Sequence, residues 1–228
     1  MIDIHSGRDP LELPLYTVTE AASYLSVPPS TLRAWVRGQQ YTVRGQPRRF
    51  KPLIKPDFKT GLLTFNNFVE AYVLASLTRK FSLPLARVRT ALRWLDHSRP
   101  LLKALFQTDG IGLFVEKSGQ LVDASAGGQV AMRQVLEGAL ERVDRDGAGH
   151  PARVYPWLKD PTESKLVTLD PRRAFGRPTI AGRSVTAEVI ADRFRGGDSI
   201  EFLSKDYRLS SLEVQVAVRW GIHGAAAA

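Results

Sequence analysis

The sequence of 228 residues predicts an α+β chain, mainly helical, in three parts. Three observations carry that expectation. Residues 16–50 read as two short helices followed by a hairpin. The middle of the chain mixes stretches of helical period with short runs of β-formers. The last sixty residues read as three capped helices. The expected parts are a winged helix-turn-helix over residues 1–60, a mixed α/β middle over 61–160 and a trihelical domain over 161–224.

Bulk composition sets the frame. A hydrophobic fraction of 43% and a charged fraction of 24% are those of a globular protein. No apolar run reaches the length of a membrane span, and residues 1–10 lack the basic-then-apolar pattern of a signal peptide. Cysteine is absent, which excludes disulfides and thiolate metal sites and fits a cytoplasmic location. The net charge of +9 favours a polyanionic partner or an acidic protein surface. Basic charge concentrates between Arg33 and Lys59, where eight basic residues meet one acid, Asp57.

The first part is read from its caps and faces. Thr19 is expected to cap a helix to about Leu25, with Val18, Ala21 and Leu25 on one apolar face. Ser26-Val27-Pro28-Pro29 breaks it, and a proline in the next helix's first turn costs no hydrogen bond. The second helix should bury Leu32 and Trp35 and turn Ser30, Thr31, Arg33 and Arg37 outward. Hydroxyls and guanidinium groups on an apolar-backed helix are what reading a major groove requires. Gln40 to Phe50 reads as a hairpin around Arg44-Gly45-Gln46-Pro47, which puts Arg44, Arg48 and Arg49 at or near a wing tip. Such a tip can follow phosphates or enter a minor groove.

In the middle, Thr64 is expected to cap a helix of about 16 residues with Phe65, Phe68, Val69, Tyr72, Val73 and Leu77 in helical period. Pro84 should open another, followed by strands at Ile111–Val115 and Gln120–Val122. A helix is expected from Gly128 to Val143, then a polar loop Asp144–Gly149. Strands are expected at Arg153–Trp157 and Lys165–Leu169, with a break at Asp160–Ser164. The glycines between Gly110 and Gly128 lack the Lys-Ser/Thr of a phosphate loop.

In the tail, Asp170 to Val185 reads as an extended arm. Thr186 should cap a helix over Ala187–Arg195 that Gly196-Gly197 ends. Asp198 should cap a second helix from Ser199 to about Lys205, and Ser210 a third to Trp220. Helix, turn, helix invites a second DNA-reading hypothesis. The abundance of Leu212, Val214, Val216, Ala217 and Val218 favours instead a helix buried in a core or a dimer interface.

The segments Val18-Thr-Glu-Ala-Ala-Ser-Tyr-Leu25 and Ser30-Thr-Leu-Arg-Ala-Trp35 resemble the winged helix-turn-helix of MerR-like regulators. The chain departs from them in having neither a long C-terminal coiled coil nor effector-binding cysteines. Gly176-Arg-Pro-Thr-Ile-Ala-Gly-Arg-Ser-Val185, Gly197-Asp-Ser-Ile-Glu201 and Asp206-Tyr207 resemble an antitoxin-associated family of unknown function, number four hundred and thirty-three. Arg183 stands where that family usually has threonine. Head and tail together resemble VapB-type antitoxins paired with PIN-domain ribonucleases.

The resemblance implies promoter DNA and a PIN-domain ribonuclease toxin as partners, and a homodimer or larger complex with the toxin. Carboxylates holding Mg²⁺ in such a nuclease would be plugged by arginine, whose fork matches a carboxylate. Arg172, Arg173, Arg177 and Arg183 on the arm are the toxin-binding candidates. No enzyme activity, metal or cofactor is expected. His5, His97, His150 and His223 are isolated, and no nucleophile or carboxylate pair stands out. The alternative is a stand-alone MerR-like regulator whose C-terminal half dimerises or senses a ligand.

Overall fold

The computed structural model describes residues 9–43, 45–56, 61–81, 102, 115, 126–158 and 164–225. In chain order these form α1 (Val18–Tyr24), α2 (Pro29–Arg37), β1 (Gln39–Val43), β2 (Gln46–Phe50), α3 (Phe65–Phe81) and α4 (Ala126–Leu140). Then come β3 (Val143–Arg145), β4 (Pro151–Val154), β5 (Val167–Thr168), β6 (Thr179–Ile180), α5 (Ala187–Arg195), α6 (Ile200–Tyr207) and α7 (Ser211–Ala225). The result is a mixed α and β architecture with small sheets, and the chain gathers into two units. One takes residues 1–29, 56–65 and 152–228; the other takes 30–55 and 66–151.

In the first unit, α1 starts earlier than its sequence suggests. Thr17, not Thr19, is the cap. Its hydroxyl accepts from Glu20 N while Glu20 Oε2 accepts from Thr17 N, a reciprocal capping box. The other end closes as a Schellman motif, with Val27 N donating to Ala22 O and Ser26 N to Ser23 O, and Ser26 in the left-handed region at φ 51. Tyr16 and Leu63 form an antiparallel bridge beside it.

The tail forms the core of this unit. Val167, Ile180, Ile190, Leu203, Val214 and Trp220 are buried in one cluster with Ala187, Leu209, Ala217 and Val218. The expected extended arm is folded. β5 and β6 pair antiparallel, Val167 opposite Ile180, and a 3₁₀ turn at Ala174–Gly176 lies between them. Buried Thr168 and Thr179 spend their hydroxyls on Val154 O and Thr168 O, so the polar groups of the small sheet are satisfied within it. Thr186 caps α5 as expected. Asp198 does not cap α6: Ser199 does, through Phe202 N, because Asp198 is drawn into an ion pair with Arg193. Helix α7 runs on past Trp220 to Ala225.

In the second unit, β1 and β2 pair antiparallel, with Val43 opposite Gln46 and Gln39 opposite Phe50. The turn is therefore tighter than expected, and Pro47 is a strand residue opposite Thr42. Helix α3 is buried on every side from Phe65 to Ser76, polar Asn66, Asn67 and Glu70 included. Asn67 Nδ2 donates to Lys55 O and Ser76 Oγ to Val73 O, so these two side chains keep partners inside the core. Helix α4 ends at Leu140, before the expected Val143, and Val143 instead opens β3 with Asp144 and Arg145. The Arg145 guanidinium caps the following turn through Gly149 O and also donates to Leu102 O.

Two other strands are shorter than expected, β4 ending at Val154 and β5 spanning Val167–Thr168. Val115, expected in a strand, is helical and buried. The helix at Pro84, the rest of the 111–115 strand, the strand at Gln120–Val122 and most of the break at Asp160–Ser164 lie outside the described residues.

Candidate nucleic-acid interface

Helix α2 owes its two-faced character to residue spacing. Leu32, Trp35 and Val36 are buried, while Ser30, Arg33 and Arg37 are exposed and Thr31 is half-buried. The hairpin is fastened to this helix at its carboxyl end. Leu53 N and Ile54 N both donate to Trp35 O, at 2.7 and 3.1 Å. Arg49 Nη2 donates to Arg37 O at 3.4 Å, so one of the expected phosphate-facing arginines also braces the wing. A cation there also complements the negative end of the helix dipole. Tyr41 and Phe50 stack across the strands with centroids 4.1 Å apart.

The structure therefore brings Ser30, Arg33, Arg37 and Arg49 onto one helix and its attached hairpin, all exposed. Arg44 and the Arg48 side chain lie outside the described residues. From Pro29 to Lys55 the sequence holds no carboxylate, so no acid of this segment offsets its charge. Such a surface can neutralise phosphates while its hydroxyl and guanidinium groups reach base edges.

The arm presents a second cationic stretch. Arg172, Arg173, Arg177 and Arg183 are all exposed. Arg177 pairs with Glu188 at 3.3 Å, and Arg183 donates to Arg208 O at 3.3 Å. Buried Asp170 anchors the arm by accepting from Arg172 N and pairing with Arg153. At the arm's turn Ala174 and Phe175 both take positive φ, and Phe175 stays 60% exposed. Gly176 is required there: at φ +74, a Cβ on it would sit 2.2 Å from the Tyr16 hydroxyl. That hydroxyl donates to Gly176 O, and burial pushes its pKa well up, so it remains a donor at neutral pH.

Arg193 gives no sign of its role in the sequence. It pairs with Asp198 and Asp206, donates to the Tyr207 hydroxyl at 3.2 Å, and lies over the Phe202 and Tyr207 rings. Those hydrogen bonds, Tyr207 first, raise its pKa above the ordinary guanidinium value. The Asp206-Tyr207 motif is thus the receptor for this arginine, which as a lone arginine on a helix carries no local signal of it. Among the described residues no group of His, Asp and Glu is placed to hold a metal ion. None of the described helices is long and apolar enough to cross a membrane.

The two-faced helix α2 with its attached hairpin agrees with what the chain is similar to. Residues 14–92 match a family described as "Putative DNA-binding HTH domain". Residues 167–220 match a second family, a protein of unknown function (DUF433). Over nearly its whole length the chain is similar to "Putative antitoxin VapB45" of Mycobacterium tuberculosis, 29% identical, covering 93% of this chain and 98% of that one. It is also similar to the uncharacterized protein Rv2308 of the same organism, 28% identical over 91% and 90% of the two chains. The crystal structure of Rv2018 from M. tuberculosis shares the fold, with a TM-score of 0.64 over 90% of this chain and 98% of that one at 22% identity.

Proposed function

We propose that this protein is a type II antitoxin. In this reading it binds its own promoter DNA as an autorepressor and neutralises a cognate PIN-domain ribonuclease. The observation that carries the DNA half is the exposed Arg33, Arg37 and Arg49 of α2 and its hairpin, in an acid-free segment that falls within the match to a DNA-binding helix-turn-helix family. The antitoxin half is supported by the similarity to a relative named as an antitoxin and by the exposed arginines of the arm. Ser30, Thr31, Arg33 and Arg37 face the groove and Arg44, Arg48 and Arg49 the phosphates. Arg172, Arg173, Arg177 and Arg183 face the nuclease carboxylates, where bidentate pairing is strongest. The protein works by binding, not by catalysis, as a homodimer or a larger complex with its toxin in the cytoplasm, and it needs no cofactor.

A specific observation favours a second reading, a MerR-like regulator that senses a ligand. A cleft of about 570 Å³ beside α1 is lined by Tyr16, Glu20, Tyr24, Phe175, Arg177 and Thr186 among others. That volume suits a small molecule. Burial, then the Glu20 carboxylate, pushes the Tyr24 hydroxyl up to about 12, leaving it a donor in the cleft.

Co-expression with the neighbouring reading frame separates the two. An antitoxin relieves the toxicity of that product and co-purifies with it. Arg172→Glu combined with Arg173→Glu weakens capture without shifting the melting temperature. Absence of both relief and co-purification removes the antitoxin reading and leaves the regulator.

A further inference from the structure

Helix α7 is not the all-round apolar helix that its composition suggests. It buries Val214, Ala217, Val218 and Trp220, and it exposes Ser211, Leu212, Gln215, Arg219 and Ile222. Those five lie on one stripe at helical spacing, about 16 Å from first to last. No carboxylate lies on the stripe. The single acid of α7, Glu213, is turned back into the cap, accepting from Ser210 N and Ser210 Oγ, both at 2.7 Å.

The helix before it ends in a tight turn. Arg208 takes the left-handed region at φ 54, Leu209 is buried, and α7 starts at Ser211. Around this turn the free charge is positive. Arg208 is exposed and Arg183 is held against its carbonyl. The nearby acids Asp198 and Asp206 are matched by Arg193, and Asp192 by Arg195. An apolar-backed second helix with serine, glutamine and arginine outward is the composition that reads base edges.

We propose that α6 and α7 form a second DNA-reading helix-turn-helix, so that the chain contacts duplex DNA through its tail as well as its head. Helix α7 lies in the major groove across about five base pairs. Gln215 and Arg219 hydrogen-bond bases, Leu212 packs on a thymine methyl, and Arg208 meets phosphate. Charge favours a polyanion over a second copy of this chain: across a two-fold contact Arg208 and Arg219 would meet their own counterparts, with no carboxylate on the stripe to offset them.

The proposal rests on the reading that the chain binds its own upstream DNA. The test is a hydroxyl-radical footprint of the full chain on a duplex spanning the region upstream of its reading frame. Three proteins are compared: wild type, Gln215→Ala with Arg219→Ala, and Arg33→Ala with Arg37→Ala. Wild type should protect two separate segments. The tail variant should lose one of them, keep its melting temperature, and bind about five- to a hundred-fold more weakly, the worth of one bidentate base contact. Arg219→Lys, which keeps the charge without the planar fork, should keep only part of that segment's protection.

An unchanged footprint and affinity in the tail variant would overturn the proposal while leaving the head's role intact. So would a tail variant that keeps its footprint and loses self-association or capture of the neighbouring gene product. No footprint with wild type would overturn both readings together.

Discussion

Gly221 faces α5 across a gap that admits no side chain. A Cβ there would lie 2.3 Å from Ala191 Cβ and 2.7 Å from Ala187 O. Gly221→Ala should therefore force the two best-packed helices of the tail apart and cost about 1–3 kcal/mol, read as a lower urea midpoint with an unchanged slope. Ser26 poses a subtler balance. Its left-handed backbone costs about 1–2 kcal/mol in a residue with a Cβ. Its hydroxyl recovers part of this at 3.2 Å from His223 Nε2, beside the Ser23 Oγ bond to His223 O. Ser26→Ala keeps the strain and loses the bond, so it should destabilise by about 1 kcal/mol. Ser26→Gly loses the bond but relieves the strain and should be close to neutral. Equal losses in both would show that the backbone conformation carries no strain.

At the same scale the sequence is only partly legible. Capping residues are of the expected type and within two positions, as Thr17 for Thr19 and Ser199 for Asp198 show. The choice between neighbouring cappers depends on which of them another side chain claims, and Arg193 claims Asp198.

Elements show where local pattern suffices. Helix α2 is readable because burial of Leu32 and Trp35 follows directly from period. The wing is readable except for its turn, because Gln46 and Pro47 resemble turn residues yet pair with Val43 and Thr42. The arm looks extended in sequence because β5 and β6 are two residues each, too short for alternation to register.

The cap of α7 yields a pH prediction. Hydrogen bonds from Ser210, backbone first, hold the Glu213 carboxyl below its ordinary value. A lowered folded pKa stabilises above the unfolded value of about 4.3 and the benefit is lost as pH falls through the folded value. Wild type should thus melt higher than Glu213→Gln at neutral pH, and the gap should close on acidification below about pH 4. A gap that stays constant with pH would assign the stabilisation to shape rather than charge.

On the scale of the whole molecule, contacts of long sequence separation dominate the first unit. Tyr16 bonds to Gly176, and Ser23 and Ser26 reach His223. Helix α1 has seven residues, too few to persist alone. The head's first helix therefore depends on a tail that lies 200 residues later at the Ser23–His223 bond, which no local pattern in the sequence could announce. A chain ending at Ser210 should lose amide-exchange protection across Val18–Tyr24 as well as the signal of α7. Retained protection there would show that α1 is held by something else.

That a cationic helix and wing bind DNA is tested most directly by the binding constant for the protein's own upstream duplex, measured across a salt series. The expected result is a linear fall of log K with log salt, with a slope of about −0.9 for each phosphate neutralised. Arg44→Ala with Arg48→Ala, which removes two of the cations assigned to phosphates, should make that slope shallower by up to about 2 and weaken binding. A slope near zero, or one identical in the double variant, would contradict DNA binding through this surface.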